Sequence, residues 1–284
     1  MILIKSVLSL RLYLSDQKKK GLKTGFIPTM GALHQGHISL IDQSIANGDL
    51  TICSIFVNPT QFNDEKDFRQ YPVTIDQDIL MLEKAGCDVL FLPSVNEIYP
   101  HGFETETHYE LGHVGSILEG AYRPGHFQGV CQVMEKLLKI VLPDQLYLGQ
   151  KDYQQCKIIT LLIQQMGFGE KVQVNICPTL RETDGLAMSS RNRRLSDDAR
   201  QQADGIFQAL THLKNNLRPG LLNPMLEEAK SILLDKGFQI DYLAIAHADS
   251  LEIKEEYKNE EPLVALVAAT HDGVRLIDNM ILNR

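Results

Sequence analysis

The sequence has no tryptophan, only 11 prolines in 284 residues, and no apolar run long enough to span a membrane. Because a membrane helix needs about 18 consecutive apolar residues, the chain is expected to be soluble and to have no membrane partner. Residues 1–15 are apolar, but Lys5 and Arg11 interrupt them and no small-residue cleavage site follows. This stretch therefore predicts an amphipathic helix rather than a signal peptide.

Cysteine and positive charge are also scarce. The five cysteines are odd in number, widely spaced and without a CxxC pair, so they indicate neither a disulfide framework nor a zinc knuckle and favour a reducing, cytoplasmic location. The chain has 28 Lys and Arg against 36 Asp and Glu, a formal net charge of -8. This deficit argues against nucleic-acid partners and restricts any anion site to a local patch.

The composition is typical of a globular protein, and the pattern of apolar residues changes along the chain. Residues 1–177 alternate short apolar runs with helical patterns, which predicts βαβ crossovers and an α/β domain with a parallel sheet. The predicted strands are 24–28, 50–57, 88–92, 145–148 and 172–177, and the predicted helices are near 37–47, 74–85, 126–141 and 152–166. The helix at 74–85 opens with Thr74 and Gln77 in capping-box spacing.

Residues 178–284 predict a smaller α+β domain. Its predicted helices are 196–217 and 223–236, the second capped by Asn223 with Pro224 in its first position. The predicted strands are 239–246, 263–270 and 274–282. A His-Asp-Gly sequence at 271–273 predicts a hairpin turn between the last two strands.

A glycine-containing loop follows the first predicted strand. Residues 28–37 read PTMGALHQGH, and a helix is predicted to begin at His37. Gly31 and Gly36 let the backbone approach a ligand, and a helix start offers N–H groups and a positive dipole end to an anion. His34 and His37 can donate hydrogen bonds to a triphosphate. The loop therefore predicts a phosphate site, the alternative being a pair of surface or metal-binding histidines.

Two amide side chains follow the second predicted strand, in the sequence SIFVNPTQF at 54–62. Asn58 and Gln61 can each donate and accept hydrogen bonds, which suits a substrate with hydroxyl and carboxyl groups. The alternative for Asn58 is an ordinary Asn-Pro turn.

Three further loops carry charged or hydroxyl side chains. In LEGAYRPGHFQGV at 118–130, Arg123 is a candidate carboxylate or phosphate ligand. In GQKDYQQ at 149–155, Lys151 can serve as a point charge for phosphate and Asp152 can accept from ribose hydroxyls. In PTLRETDGLAMSSRN at 178–192, two hydroxyls and a guanidinium predict an oxyanion-binding, closing loop. The alternatives are a surface lysine and a solvated linker.

Together these segments resemble the family of pantoate:β-alanine ligases, or pantothenate synthetases, over nearly the whole chain. The motifs PTMGALHxGH, IFVNPxQF, EGxxRPGHFxGV, GxKDYQQ and DGLAMSSRN occur in that family's order and with about its spacing. The resemblance implies a Rossmann-like, HIGH-motif nucleotidyltransferase domain at 1–177 that binds ATP and pantoate, a lid domain at 178–284, and a homodimer. It also implies ATP-dependent joining of (R)-pantoate to β-alanine through a pantoyl adenylate, with Mg²⁺, in coenzyme A biosynthesis.

The resemblance also implies roles for individual residues. Those implied to bind ATP are Met30, Gly31, Ala32, Leu33, His34, Gln35, Gly36, His37, Gly149, Gln150, Lys151, Asp152, Leu180, Met188, Ser189, Ser190 and Arg191. Those implied to be catalytic are His37, as proton donor, and His34, Lys151 and Arg191. Pantoate would be held by Asn58, Gln61 and Gln155, and β-alanine would lie beside Gln61. No residue is assigned to the magnesium ion, for which Asp78 is a candidate.

Two positions depart from the family's common pattern. Gln150 stands where Glu is common, and Val73 stands where Arg is common. The first change removes a negative charge beside Lys151.

Two other functions are weighed against the ligase. A nucleotidylyltransferase would stop after one step, but the neutral amides of Asn58, Gln61 and Gln155 fit a hydroxy acid better than a second phosphate. A non-enzymatic adenylate-sensing module would not need both histidines, Lys151 and Arg191.

Overall fold

The computed structural model describes residues 1–62, 68–69, 71–103, 107–258 and 261–283. By their packing, the residues divide into two compact units: Met1–Gly149 with Gln155–Pro178, and Gln150–Gln154 with Thr179–Arg284. The segment Gln150–Gln154, which the sequence analysis assigned to the first domain, thus packs with the second unit. Within the described ranges, every helix is too short or too polar to cross a membrane.

The first unit is built on a parallel sheet of six strands. They are β1 (Ile2–Ile4), β2 (Thr24–Thr29), β3 (Leu50–Ile55), β4 (Val89–Phe91), β5 (Gln145–Gly149) and β6 (Gln173–Cys177), in the order β1-β4-β3-β2-β5-β6. All neighbouring strands are parallel, as the alternating sequence pattern predicts. The strand order reverses between β2 and β5, which is where α/β sheets bind ligands.

Both faces of this sheet are covered by helices. These are α1 (Val7–Lys19), α2 (Gln35–Ala46), α3 (Ile75–Lys84), α4 (Val95–Ile98), α5 (Glu119–Tyr122), α6 (His126–Val141) and α7 (Tyr153–Gln165). Successive strand residues enter opposite cores: Phe26 and Phe91 belong to one buried apolar cluster, while Ile27 and Leu90 belong to the other. This two-sided burial explains why the strands read as continuous apolar runs.

The second unit contains a three-stranded antiparallel sheet. Its strands are β8 (Gln239–His247), β10 (Leu263–His271) and β11 (Val274–Ile281), in the order β11-β10-β8, and β7 (Gly220–Leu221) pairs with β9 (Glu256–Tyr257). Its helices are α8 (Asp197–Gln202), α9 (Gly205–Asn215) and α10 (Asn223–Asp235). The predicted hairpin is confirmed, because Asp272 and Gly273 both have positive φ, at 49° and 70°, as a two-residue turn requires.

Three sequence expectations about these elements are wrong. The N-terminal helix begins only at Val7, because Ile2–Ile4 pairs with β4 and so forms an edge strand. The expected helix at 196–217 is two helices, α8 and α9, which end and begin on either side of Asp204. Leu222, not Asn223, is the N-cap of α10.

Candidate active site

The loop after β2 is held by its own two histidines. Nδ1 of His34 accepts a hydrogen bond from the N–H of Gly36 at 3.2 Å, and Nδ1 of His37 accepts one from the N–H of His34 at 3.3 Å. The ring centroids lie 4.1 Å apart. His34 is thus the N-cap of α2, which begins at Gln35 and not at His37 as the sequence predicted.

These bonds also fix the tautomer of both rings. Since Nδ1 is the acceptor in each, a neutral imidazole at either position carries its proton on Nε2. His34 and His37 therefore each have an Nε2–H donor, one turn apart at a helix start. Such an arrangement suits the charge that develops on phosphate oxygens.

Asp78 orders the same loop from α3. Its carboxylate is 1% exposed and accepts hydrogen bonds from the N–H groups of Ala32 at 3.0 Å and Leu33 at 2.8 Å. Thr74 donates its hydroxyl to Asp78 at 3.0 Å and makes no side-chain cap bond, so the predicted capping box is absent. Ala32 has a φ of 48°, which is unfavourable for a residue with a Cβ. Both oxygens of Asp78 serve this strained loop.

Replacing Asp78 by alanine is expected to lower the free energy of unfolding by about 2 to 5 kcal/mol, because two buried N–H donors lose their partner. Urea unfolding followed by circular dichroism measures the change. The matched control is Asp76→Ala, an exposed aspartate in the same first turn of α3, which should cost less than about 1 kcal/mol. Equal losses in the two variants would contradict the role given to Asp78.

The predicted amide pair lies in a buried hydrogen-bond cluster after β3. Asn58 is 1% exposed, and its Nδ2 donates to Oε1 of Gln61 at 3.2 Å and to the carbonyl of Gly129 at 3.1 Å. Its Oδ1 accepts the hydroxyl of Tyr99 at 2.7 Å. Gln61 in turn donates Nε2 to Sδ of Met30 at 3.0 Å. Gln61 thus joins the amide cluster to the loop at 28–37, the predicted phosphate site.

A glycine makes this cluster possible. A Cβ at Gly129 would lie 2.2 Å from the carbonyl oxygen of Thr60, so α6 can approach the 59–61 turn only with glycine at this position.

His126 is a residue of this region that the sequence analysis did not single out. It is buried at the start of α6, and its Nδ1 lies 2.8 Å from the carbonyl oxygen of Gln61. Arg123 lies with Nη1 3.1 Å from Nε2 of His126. Because a guanidinium only donates, Nε2 accepts and Nδ1–H donates to Gln61. Arg123, proposed from sequence as a direct anion ligand, here supports the ring that positions Gln61.

In the second unit, the predicted residues Gln150–Asp152 form a short 3₁₀ turn just after β5. Nζ of Lys151 lies 3.8 Å from Oδ1 of Asp152, a loose ion pair. Asn279 on β11 donates Nδ2 to the carbonyl oxygens of Gln150 and Lys151, at 2.9 Å each. Nε2 of Gln150 donates back to Oδ1 of Asn279 at 3.2 Å. Gln150, the first departure from the family pattern, thus makes a hydrogen bond that a glutamate could not donate. Val73, the second departure, is largely exposed, and nothing in the structure explains its identity.

The segment with Met188, Ser189, Ser190 and Arg191 is anchored at its base. Arg181 makes a bidentate ion pair with the buried Asp278, at 2.6 and 3.1 Å, and stacks over Phe207 at 4.9 Å. The N–H of Met188 donates to the carbonyl of Leu180 at 3.0 Å, and Oγ of Ser189 accepts from the N–H of Arg191 at 3.3 Å. Leu180 itself is exposed.

Electrostatics act in opposite directions on two acids near the base of this segment, Asp278 and Asp184. Burial raises the pKa of Asp278, and the hydrogen bonds and charge of Arg181 oppose that rise. Burial also acts to raise the pKa of Asp184, but hydrogen bonds from Arg200 and from the N–H of Leu186 hold it below its usual value. Arg200 pairs with Glu182 as well, at 3.1 Å.

The cysteines lie outside this chemistry. All five are free and buried. Burial raises the pKa of Cys53, of Cys87 to about 11 and of Cys131 to about 12. A thiolate nucleophile at these three positions is therefore disfavoured.

The described residues contain no group of three or more His, Cys, Asp or Glu side chains that could hold a metal ion. Asp78, the candidate from sequence, uses its carboxylate to hold the loop. Magnesium usually keeps several waters and binds through substrate phosphates with one or two carboxylates, so an ion that arrives with ATP does not require a protein cage.

The predicted site residues thus fall into two sets. The first unit holds 30–37, Asn58, Gln61, Gly149 and Gln155, and it brings Met30, Asn58 and Gln61 into one hydrogen-bonded cluster. The second unit holds 150–152, Leu180 and 188–191. Residue Asn279 of β11 binds the 150–152 turn, and it also binds Arg181 at the base of the segment that carries 188–191.

Comparison with known proteins gives the same family as the motifs. The model of the family described as Pantoate-beta-alanine ligase matches residues 2–281. A pantothenate synthetase of Cytophaga hutchinsonii is 42% identical over 285 residues, 99% of each chain, and one of Cereibacter sphaeroides is 43% identical over 279 residues, 98% of each chain.

Solved structures agree. A pantothenate synthetase of Thermus thermophilus superposes with a TM-score of 0.89 at 36% identity over 100% of both chains, which confirms the predicted Rossmann-like, HIGH-motif nucleotidyltransferase fold. A pantoate-beta-alanine ligase of Francisella tularensis, complexed with beta-gamma ATP and beta-alanine, has a TM-score of 0.82 at 36% identity and covers 99% of this chain and 98% of its own. The chain belongs to the pantoate-beta-alanine ligase family.

Proposed function

We propose that this protein joins (R)-pantoate to β-alanine at the expense of ATP, forming pantothenate, AMP and pyrophosphate. The observation that carries the proposal is the 3.0 Å contact between Gln61 and Met30, which places a neutral amide beside a phosphate-type loop. Family membership supports it, as does the relative of Francisella tularensis, whose structure is a complex with beta-gamma ATP and beta-alanine.

The reaction has two steps. A carboxylate oxygen of pantoate attacks the α-phosphorus of ATP in line, and the bond to the β-phosphate oxygen breaks, releasing pyrophosphate. The amine of β-alanine then attacks the carbonyl carbon of the acyl adenylate, loses a proton and displaces AMP. Both steps need positioning and charge stabilisation rather than a covalent enzyme intermediate.

Each unit supplies part of this chemistry. The Nε2–H groups of His34 and His37 would donate to the phosphates, with His37 as proton donor. In the second unit, Lys151 and Arg191 would neutralise charge on the triphosphate, and the hydroxyls of Ser189 and Ser190 would donate hydrogen bonds to it. Asp152 would accept hydrogen bonds from ribose, and Leu180 would contact adenine through its backbone. The roles of 1–177 as an ATP- and pantoate-binding domain and of 178–284 as a lid stay predictions.

Gln61 and Gln155 are the proposed direct ligands of pantoate, and Gln61 also borders the β-alanine position. Asn58 contributes mainly by orienting Gln61, because its own amide is engaged inside the protein. When bound with ATP, Mg²⁺ would neutralise phosphate charge.

ATP–pyrophosphate exchange tests the function. We expect exchange with pantoate in the absence of β-alanine, and net formation of pantothenate when β-alanine is added. Exchange that needs a phosphate-bearing acceptor would favour a nucleotidylyltransferase. Binding of ATP without exchange, across a panel of hydroxy acids, would favour the non-enzymatic module.

Gln61→Ala is expected to raise the pantoate KM by roughly tenfold, since two lost neutral hydrogen bonds cost about 1 to 3 kcal/mol. The ATP KM should change by less than about threefold, because among the described residues Gln61 reaches this loop through one hydrogen bond, to Met30. Exchange rates measured over a range of pantoate and ATP concentrations separate the two constants.

The control for this variant is Gln164→Ala, an exposed glutamine near the end of α7. Gln154, which helix spacing places on a different face from Gln155 and which was therefore expected to be a silent position, is unsuitable because it is buried. Equal pantoate KM values for Gln61→Ala and Gln164→Ala would remove Gln61 from the pantoate site.

We further propose a cytoplasmic homodimer. All five cysteines are free, which suits a reducing compartment. Apolar side chains are exposed at Met1, Ile2, Leu3, Leu8 and Leu12, and Leu8 and Leu12 lie one turn apart on α1, which suits contact with a second copy. Light scattering of the purified protein measures the mass, and a monomer at micromolar concentration would contradict the dimer.

A further inference from the structure

Strand β11 forms one edge of the three-stranded sheet, where β10 is its pairing partner. Its two neighbouring buried residues, Asp278 and Asn279, contact the two segments of the second unit that the proposed function assigns to ATP. Asn279 donates to the carbonyl oxygens of Gln150 and Lys151. Asp278 pairs with Arg181, at the base of the segment that carries Met188–Arg191.

We propose that Asp278 and Asn279 are positioning residues for ATP: Asn279 sets the place of Lys151, and Asp278 sets the place of the 182–191 segment through Arg181. This inference rests on the proposed function. Neither side chain needs to touch a substrate.

The amide of Asn279 is matched to its surroundings. It is 1% exposed, its two Nδ2 hydrogens go to two carbonyl oxygens, and its Oδ1 accepts from Gln150. The reversed amide would face carbonyl oxygens with its own oxygen, so the network selects one orientation. A fully used buried amide holds the backbone of Lys151 at a defined position.

Arg181 connects the 182–191 segment to both Asp278 and Asn279. Besides Asp278, its Nη1 donates to the carbonyl of Gly185 at 3.0 Å and its Nη2 to the carbonyl of Asn279 at 3.2 Å. One guanidinium thus fixes the 182–185 turn against the same point of β11 that fixes Lys151. Small displacements of positioning groups can cost about 10²-fold in rate, so the effect should be measurable.

The test compares Asn279→Ala with Asn283→Ala. Asn283, just after β11, also holds backbone and side-chain groups, since it donates to Tyr257 at 2.7 Å and Glu261 at 3.0 Å and accepts from the N–H of Leu263 at 2.7 Å. It touches neither ATP segment in these contacts. A merely structural role would make the two variants alike.

We expect Asn279→Ala to slow pantoate-dependent pyrophosphate exchange by about 10- to 100-fold. Aminolysis of supplied pantoyl adenylate by β-alanine should stay within about twofold, because pyrophosphate has already left. Asn283→Ala should lower Tm at least as much and leave exchange within about twofold. Asn279→Asp, which keeps the volume but loses both donors, should match Asn279→Ala.

Unchanged exchange in folded Asn279→Ala would overturn the inference. So would a result in which Asn279→Ala slows both half-reactions equally and Asn283→Ala does the same. A second readout does not depend on pantoate. Binding of a non-hydrolysable ATP analogue, measured by calorimetry, should be about tenfold weaker in Asn279→Ala than in Asn283→Ala. Equal affinities would overturn the inference, whereas a wild-type protein that binds the analogue but shows no exchange with pantoate would overturn the proposed function alone.

Discussion

His37→Ala is expected to slow adenylate formation by roughly 10²-fold or more, the loss typical of removing one transition-state donor. Its Nδ1 is engaged by the N–H of His34, so Nε2–H is the donor that alanine removes. Pantoate-dependent pyrophosphate exchange in the folded variant measures the effect.

Alanine also removes an acceptor at the start of α2, so a second variant separates stability from catalysis. In His37→Asn, Oδ1 can take the place of Nδ1 and accept from the N–H of His34, but no group replaces Nε2–H. We expect its Tm to lie close to that of the wild type and its exchange to be as slow as that of His37→Ala. His108→Ala, at an exposed histidine, is the control and should exchange at the wild-type rate. Exchange within about twofold of wild type in His37→Ala would remove His37 from the catalytic residues.

The parts of the fold that local pattern determines were predictable. Continuous apolar runs alternating with helical periods gave the parallel sheet, because strands buried on both faces carry apolar residues at every position. The Asp272-Gly273 turn was also predictable, since two successive positive φ values favour this pair. Strand β1 was not, because three apolar residues before a helix become a strand only by pairing with β4.

The same distinction applies to the candidate site. The histidine loop could be recognised, since its glycines, histidines and helix start are neighbours in sequence. Asp78 contacts Ala32 across 46 residues and Asp278 contacts Arg181 across 97 residues. No spacing rule connects such pairs, and a buried aspartate has no local sequence signal that distinguishes it from a surface one. Asp278 was therefore missed, and Asp78 was named only as a magnesium candidate and not as the residue that holds the loop. The residues proposed to touch substrates were named.

Lys151→Ala is expected to slow adenylate formation by roughly 10²-fold while sparing the second half-reaction. Lys151 lies in the 3₁₀ turn after β5, and its ion pair with Asp152 is a loose one, at 3.8 Å. Its charge is therefore available to the pyrophosphate leaving group in the first step. In the second step that group is gone, so the charge has less to stabilise.

Supplying purified pantoyl adenylate with β-alanine should then restore most of the turnover of Lys151→Ala. The control is Lys214→Ala, which removes an exposed lysine from α9 of the same unit and should leave both half-reactions unchanged. Lys151→Arg keeps the charge but replaces a compact ammonium with a planar fork, so it should recover part of the exchange rate. If the supplied adenylate reacts as slowly as the complete reaction in folded Lys151→Ala, then Lys151 acts on the acyl adenylate itself, and stabilisation of pyrophosphate is not its role.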